Sequence, residues 1–233
     1  MNDTVQRRKR FGIAMGDAFA LDALHNFGVD LQNRQLWISG TNIDLLTAED
    51  AGVEPGVEYM MSNRVIRNLH LLRLRSETAP VLVHLHTCGG DYHEGMAIYN
   101  VLRSMPFPIT ILSYTHARSM SSIIIQAAEK RVLMPDSYFM IHYGQLYVGG
   151  EVKTVTSNVE FDKIGTSRML DIYVEKAKKG KKFLKWSEDR IRRFLKRKMD
   201  EKGDFFLMPE DAVEFGFADE VFDFDWPRLT DFS

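Results

Sequence analysis

The sequence has little that would suit an extracellular or a membrane-spanning protein. Its 233 residues include one cysteine, Cys88, so an internal disulfide is excluded and a reducing compartment is favoured. No apolar run approaches the ~18 residues that a membrane-spanning helix needs. Basic and acidic residues nearly balance, at 30 and 32, which gives no overall attraction to nucleic acid or to an anionic membrane. We therefore predict a cytoplasmic protein that binds neither.

The composition is that of one large domain preceded by a short arm. Hydrophobic residues make up 45% of the chain and charged residues 27%, which is enough for a full core. The basic run Arg7–Arg10 precedes an apolar stretch, as in a signal peptide, but Asp17 and Asp22 interrupt that stretch. We predict an N-terminal arm and helix over residues 1–30 and one domain over residues 31–233.

Ser119 stands where a short apolar strand pattern gives way to a small-residue helix pattern, within residues 109–128. A hydroxyl at such a junction is held on a tight turn, and the start of the helix points free backbone N–H groups toward any oxyanion that forms there. Ser119 is therefore a candidate nucleophile. The alternative is that it only caps the helix, because serine is a favoured N-cap residue.

Three further features could serve such a nucleophile. A buried strand pattern leads into the diglycine turn Gly89 and Gly90, where backbone N–H groups can approach a ligand closely. A strand pattern over residues 131–144 ends near His142, and histidine is the usual general base for a serine. Asp204, ahead of a helix that begins with proline, could orient that imidazole. The alternatives are a core histidine and a capping aspartate.

Taken in order, four blocks of the sequence resemble the Clp peptidase proteolytic subunits of the crotonase-like superfamily. The resemblance covers roughly residues 31–221. The blocks are L-H-T-C-G-G-D-Y-H-E-G-M-A-I-Y-N around the diglycine turn, H-A-R-S-M-S-S around the serine, M-I-H at the histidine, and D-F-F-L-M-P-E-D-A-V-E-F-G-F-A-D from the aspartate onward.

The resemblance implies a role for each candidate residue in a serine endopeptidase. Ser119 would be the nucleophile, His142 the base and Asp204 the residue that orients the base. The backbone N–H groups of Gly90 and Met120 would form the oxyanion hole. An extended peptide substrate would lie beside Gly89, Gly149 and Gly150. No cofactor and no metal is expected.

The resemblance also implies the fold and the assembly. We expect an α/β chain with a crotonase-like ββα superhelix and a projecting helical handle at about residues 146–202. Subunits would form homo-oligomeric rings, stacked face to face around a chamber that degrades polypeptides, and an AAA+ unfoldase that uses ATP could feed it. The helix of residues 158–177 is expected to pack its apolar side chains on a second subunit, namely those of Val159, Phe161, Ile164, Met169, Leu170, Ile172, Tyr173 and Val174.

The chain departs from the family pattern next to the candidate site. Cys88 stands where the family has a proline before the diglycine, and Ser121 stands where it has a glycine after S-M. The dipeptide Tyr143-Gly144 replaces Gln-Pro after the histidine. Asp204 follows His142 by 62 residues, a longer spacing than is typical of the family.

Two surface features leave alternatives open. Residues 176–202 contain 13 basic and 4 acidic residues, and this segment is either a solvated helix face or a patch for an anionic partner. His84, His86 and Cys88 alternate along one strand and so share a face, as metal ligands do, but no fourth ligand is evident nearby.

Three other functions compete with the peptidase interpretation. The first is an inactive structural subunit of the same family, although no residue of the candidate triad is missing. The second is a crotonase-type acyl-CoA enzyme, which would not need a Ser-His-Asp set. The third is a membrane-associated relative of the signal peptide peptidases, and the sequence shows no anchor for it.

Overall fold

The computed structural model describes residues 15–41 and 54–232. The predicted N-terminal arm, up to residue 14, lies outside the described residues. Along the described residues the helices are α1 Met15–Phe27, α2 Tyr59–Arg75, α3 Tyr92–Ser104, α4 Met120–Ile124, α5 Val152–Ala177, α6 Glu188–Lys202 and α7 Pro209–Phe215. The strands are β1 Val29–Asp30, β2 Gln35–Ser39, β3 Val81–His86, β4 Ile109–Ser113, β5 His116–Arg118, β6 Lys130–Leu133, β7 Tyr138–Ile141, β8 Phe205–Leu207 and β9 Glu220–Val221.

Local signals explain where several helices begin and end. The Glu58 carboxylate accepts hydrogen bonds from the first backbone N–H groups of α2, and Asp91 accepts one from the third residue of α3, Glu94. Ser187 caps α6 in the same way. Helix α7 begins with Pro209 and ends at Gly216, which adopts a left-handed conformation with φ 80°.

A six-stranded sheet in the order β1-β2-β3-β4-β6-β9 forms the centre of the molecule. Its strands are parallel except for the β1–β2 pair. Strand β3 has the sequence V-L-V-H-L-H, and every residue but the last is buried. Such a strand, apolar on both faces, is typical of a parallel sheet covered by helices. The mixed α/β architecture has the layout expected of a crotonase-like fold.

A second, three-stranded sheet in the order β5-β7-β8 carries the candidate site at its edge. Strands β5 and β7 are parallel, whereas β7 and β8 are antiparallel. The prediction of one strand over residues 131–144 is wrong in detail. Two strands, β6 and β7, occupy this segment and belong to different sheets, because a turn at Pro135 and Asp136 separates them and the Ser137 N–H closes it on the Met134 carbonyl at 3.1 Å.

Helix α5 has two halves with different environments, and this corrects the expectation that its apolar residues pack on a second subunit. Five of the eight side chains are buried in this chain's own core: Met169, Leu170, Ile172, Tyr173 and Val174. The N-terminal half is exposed, and Phe161 and Ile164 are 58% and 66% accessible. The periodic pattern could not separate the halves, because burial depends on which neighbours the fold brings to each turn.

The basic segment forms the end of α5, a 3-10 turn at Lys181–Phe183, and α6. Helix α6 buries Ile191, Leu195 and Met199, one residue per turn, and turns its charged side outward. Several cations have acidic partners within the chain, such as Arg192 with Asp171.

Within the described ranges, no helix is both long enough and apolar enough to cross a bilayer.

Candidate active site

Three of the predicted residues form a continuous line of hydrogen bonds. The His142 Nε2 atom lies 2.9 Å from the Ser119 hydroxyl oxygen, and its Nδ1 atom lies 3.0 Å from Asp204 Oδ1. Because a carboxylate can only accept, Nδ1 carries the proton on that side and Nε2 is free to accept from the serine hydroxyl. The arrangement can therefore take a proton from the serine and stabilise the imidazolium that results.

The register of the small sheet brings these three side chains together. Arg118 at the end of β5 pairs with Met140, and Ile141 at the end of β7 pairs with Phe205 at the start of β8. Ser119, His142 and Asp204 are the next residues beyond these pairs, so all three leave the sheet at the same edge. Residues far apart along the chain thus meet because three short strands end together.

Ser119 adopts a strained backbone conformation, with φ 52° and ψ −130°. Non-glycine residues rarely hold a positive φ unless the surroundings impose it. Here the backbone N–H and side-chain hydroxyl of Ser122 both donate to the Ser119 carbonyl, at 3.0 and 2.6 Å. The serine side chain makes no capping hydrogen bond, so the N-cap alternative is wrong. Its hydroxyl points at His142 instead.

His142 and Asp204 do not lie in the core. The His142 side chain is partly buried, and the Asp204 side chain is about half exposed. The core-histidine alternative is therefore wrong. Helix α7 has Met208 as its N-cap residue, four positions after Asp204, so Asp204 does not cap it.

The diglycine turn packs directly beneath the serine. Gly89 has φ 94°, and a Cβ atom there would lie 2.8 Å from both the Met120 nitrogen and the Ser119 Cβ. Gly90 has φ 152°, and a Cβ atom there would lie 2.3 Å from the Val57 carbonyl oxygen. Both positions therefore require glycine, on steric grounds and because of their backbone angles.

Val57 fixes the orientation of the Gly90 backbone. Its N–H donates to the Gly89 carbonyl at 2.7 Å, and its carbonyl accepts from the Asp91 N–H at 2.8 Å. In this parallel bridge the two hydrogen bonds join Val57 to the residues on either side of Gly90. The N–H of Gly90 itself therefore points away from Val57. Sequence reasoning missed Val57, because no local pattern predicts pairing with so distant a turn.

A cleft of about 1140 Å³ opens in front of the serine. Ser119 and His142 line it together with Gly90 and Met120. Apolar side chains from α4 and α5 form one wall, namely Ile123, Phe161, Ile164 and Met169. The loop after His142 contributes residues 143–148, but Gly149 and Gly150 are not among the lining residues. Their predicted contact with substrate stays a prediction.

Helix α4 supplies backbone N–H groups at the serine, but it is short. It covers five residues and continues as a 3-10 turn over Ile125–Ala127. Met120, the first residue of α4, lines the cleft beside Ser119.

His84 has a structural environment and not that of a metal ligand. It is 5% exposed, and its ring is stacked on Trp37 with the centroids 4.3 Å apart. The Tyr114 hydroxyl donates to Nδ1 at 2.8 Å, and Nε2 donates to Gln35 Oε1 at 3.1 Å. Burial lowers the pKa of His84 to about 4, so the ring is neutral. In the part of the chain that the structure describes, no three potential ligands cluster as a metal site.

Comparison with known proteins agrees with this architecture. The family model described as Clp protease matches residues 41–225, most of the chain. With its mixed α/β layers the chain is of the crotonase-like class. It belongs to the Clp protease family.

Curated relatives are similar to this chain at modest identity. An ATP-dependent Clp protease proteolytic subunit of Deinococcus radiodurans is 28% identical over 171 residues, which cover 72% of this chain and 76% of that protein. Proteolytic subunit 1 of Streptomyces avermitilis is 26% identical, covering 71% of each chain. Proteolytic subunit 2 of Treponema denticola is 33% identical over a shorter stretch, 35% of this chain and 42% of its own.

Proposed function

We propose that this protein is a serine endopeptidase of the Clp type that cleaves polypeptides through an acyl-enzyme. The observation that carries the proposal is the unbroken line from the Ser119 hydroxyl through His142 to the Asp204 carboxylate, with contacts of 2.9 and 3.0 Å. Membership of the Clp protease family supports the same reaction class.

In the acylation step, the Ser119 oxygen attacks the carbonyl carbon of the scissile peptide bond, and His142 Nε2 takes the hydroxyl proton. Asp204 accepts a hydrogen bond from Nδ1–H and stabilises the imidazolium without taking its proton. When the C–N bond breaks, His142 returns the proton to the leaving amine. Water then attacks the acyl-enzyme by the same route in reverse and frees the new carboxyl group.

The oxyanion of each tetrahedral intermediate receives hydrogen bonds from the N–H groups of Gly90 and Met120. Two observations support this role. Both residues line the cleft beside Ser119, and the Val57 bridge does not engage the Gly90 N–H, which points away from Val57. Gly89 allows the turn to approach the Met120 nitrogen, since any side chain there would collide with it. Preorganised donors of this kind are commonly the largest catalytic contribution.

The substrate lies extended along the cleft. Its backbone pairs with the free edge of the diglycine turn on one side and with the loop after His142 on the other. Gly149 and Gly150 contact more distant substrate residues, beyond the part of the loop that lines the cleft. The apolar wall from α4 and α5 accepts side chains of the polypeptide.

The active form is a ring assembly in which the exposed half of α5 contacts another subunit. Curated relatives carry the name proteolytic subunit of an ATP-dependent protease, and this agrees with a subunit that works with a separate ATPase. The catalytic chemistry itself uses no cofactor. An AAA+ unfoldase is the partner that would supply unfolded chains.

The acyl-CoA alternative has less support. An enzyme that only polarises a thioester needs oxyanion donors but no hydroxyl aligned with an imidazole. Here Ser119 adopts a strained backbone conformation that points its hydroxyl at His142, and a strained residue of this kind is typical of a reacting group.

Labelling with a fluorophosphonate, followed by peptide mapping, tests the proposal directly. We expect a single adduct on Ser119, and Ser119→Ala should lose both labelling and hydrolysis of unfolded casein while its mass in mass photometry is unchanged. His142→Ala should lower kcat nearly as much, because members of a triad act as a unit. If wild-type protein takes no label and cleaves nothing, it is an inactive subunit and the proposal fails.

A further inference from the structure

Ser121 links the two backbone segments that would form the oxyanion hole. Its hydroxyl donates to the Thr87 carbonyl oxygen at 2.5 Å, and both residues are fully buried. Ser121 directly follows Met120, and Thr87 lies just before the diglycine turn that contains Gly90. One buried hydrogen bond therefore connects the segment that carries the Met120 N–H to the segment that carries the Gly90 N–H.

The rest of the turn is held from the opposite side. The Thr87 hydroxyl donates to the Pro55 carbonyl at 3.0 Å, and the Gly89 carbonyl accepts from the Val57 N–H at 2.7 Å. These contacts fix the turn to the segment before α2 but not to α4. Among the hydrogen bonds of the described residues, the one from Ser121 is the direct link between the turn and α4.

The turn needs such a link because its own backbone is permissive. Gly89 and Gly90 both adopt positive φ angles and gain no stiffness from a side chain. Cys88, the residue before them, leaves φ free where a proline would fix it. Gly89 packs closely against Ser119 and Met120, and the Ser121 hydroxyl adds a directional hydrogen bond to this contact.

We propose that Ser121 is a positioning residue for the peptidase reaction, which holds the Gly90 and Met120 N–H groups at the spacing that an oxyanion requires. The inference rests on the function proposed above. Ser121 is buried and is not among the residues that line the cleft, so it touches neither the substrate nor the reacting atoms. Without its hydroxyl, the Thr87 carbonyl loses its partner and the turn is free to shift relative to Met120.

Ser121→Ala tests the proposal in the full-length protein with a fluorogenic peptide. We expect kcat to fall about tenfold or more while KM changes by less than about twofold, because the donors act mainly on the transition state. Affinity for a peptide aldehyde, whose adduct with the serine carries the oxyanion, should fall by a similar factor. The pH profile of kcat/KM should keep its shape, because the contacts of His142 are unchanged.

Ser137→Ala is the matched control. Ser137 is also fully buried and also donates to a backbone carbonyl, that of Met134 at 2.7 Å, but it lies in the turn between β6 and β7. It should lower thermal stability about as much as Ser121→Ala and leave kcat unchanged. If Ser121→Ala fails to fold, Ser121→Cys keeps the side-chain volume with a weaker donor, and the same fall in kcat at constant KM is expected.

The outcomes separate this inference from the function on which it rests. Suppose that wild-type protein is labelled at Ser119 and hydrolyses peptide. If Ser121→Ala or Ser121→Cys then equals it in kcat and in affinity for the aldehyde, only the positioning role is overturned. Equal losses of kcat in Ser121→Ala and Ser137→Ala also overturn it, because they reduce the effect to lost stability. Wild-type protein without label or hydrolysis overturns both.

Discussion

At the scale of single residues, two histidines show how the surroundings decide what an imidazole does. His84 lies inside the central sheet, with Trp37 against its ring and neutral hydrogen-bond partners at both nitrogens. His142 lies at the edge of the small sheet, between a hydroxyl and a carboxylate. Both follow apolar strand residues in the sequence. His84 is therefore a neutral ring that packs in the core, whereas His142 has the partners of a general base.

We predict that His84 makes the protein less stable in mild acid. Its pKa of about 4 in the folded protein lies below the usual 6.5. As the pH falls below 6.5, the unfolded chain therefore binds a proton at this histidine that the folded protein does not bind until the pH is near 4. Between about pH 7.5 and pH 5 the free energy of unfolding should fall by about 2 kcal/mol from this group. Urea unfolding at the two pH values measures the difference.

His84→Gln should reduce that pH dependence, because it removes the buried ring that stays neutral in the folded protein. The pKa of the buried His116 is also lowered by desolvation, so part of the dependence should remain in His84→Gln. An unchanged pH dependence in His84→Gln would contradict the assignment.

At the scale of elements, α5 combines a core helix with a projecting one. Its C-terminal half packs on α4, where the Tyr173 hydroxyl lies 2.6 Å from that of Ser122, the residue whose hydroxyl also holds the Ser119 carbonyl. The helix is thus linked through Ser122 to the backbone of the candidate nucleophile. Its N-terminal half lines the cleft and is otherwise exposed.

We predict a large effect on stability for a substitution in the C-terminal half of α5 and almost none for one in the N-terminal half. Leu170→Ala should lower the free energy of unfolding by about 2–5 kcal/mol, because Leu170 is 3% exposed and its removal leaves a cavity. Ile164→Ala, at 66% exposure, should change it by less than about 0.5 kcal/mol. Circular dichroism during denaturation, at a protein concentration low enough to keep subunits apart, measures both. Equal effects of the two substitutions would contradict the burial of Leu170 and the exposure of Ile164.

At the scale of the whole molecule, several large apolar side chains are exposed on two helices. They include Phe161, Ile164 and Val152 on α5, and Leu71 and Leu74 on α2. Large exposed apolar patches commonly mark contacts with other chains. This surface agrees with the ring assembly of the proposed function, in which different faces of one subunit meet neighbours.

We predict that wild-type protein forms multimers and that Phe161→Asp combined with Ile164→Asp reduces their mass in mass photometry. Charges at these positions would have to be buried in the subunit contact at high cost. Leu184→Asp is the control, since Leu184 is 67% exposed but lies in the basic segment, away from the exposed half of α5. Activity is not the readout here, because both substituted residues line the cleft. A fully active wild-type monomer would refute the chamber.

Much of the fold was predictable because its signals are local. The apolar run of β3, the diglycine turn and the Pro-started α7 are each specified by a few consecutive residues. The same holds for the chemical identity of the candidate site. Which apolar side chains of α5 are buried was not predictable in this way. The eight share one helical pattern, and only the neighbouring elements of the fold bury five of them.

The sequence by itself determined the α/β class, the family and the three side chains that could carry the chemistry, because residue type and short-range pattern are properties of the chain. Tertiary structure alone decided that Ser119, His142 and Asp204 meet, since their distances depend on the register of β5, β7 and β8. It also decided that Val57 and Ser121 hold the diglycine turn. Pairing between distant segments is a property of the packed molecule, because each partner has many alternatives until the core excludes them.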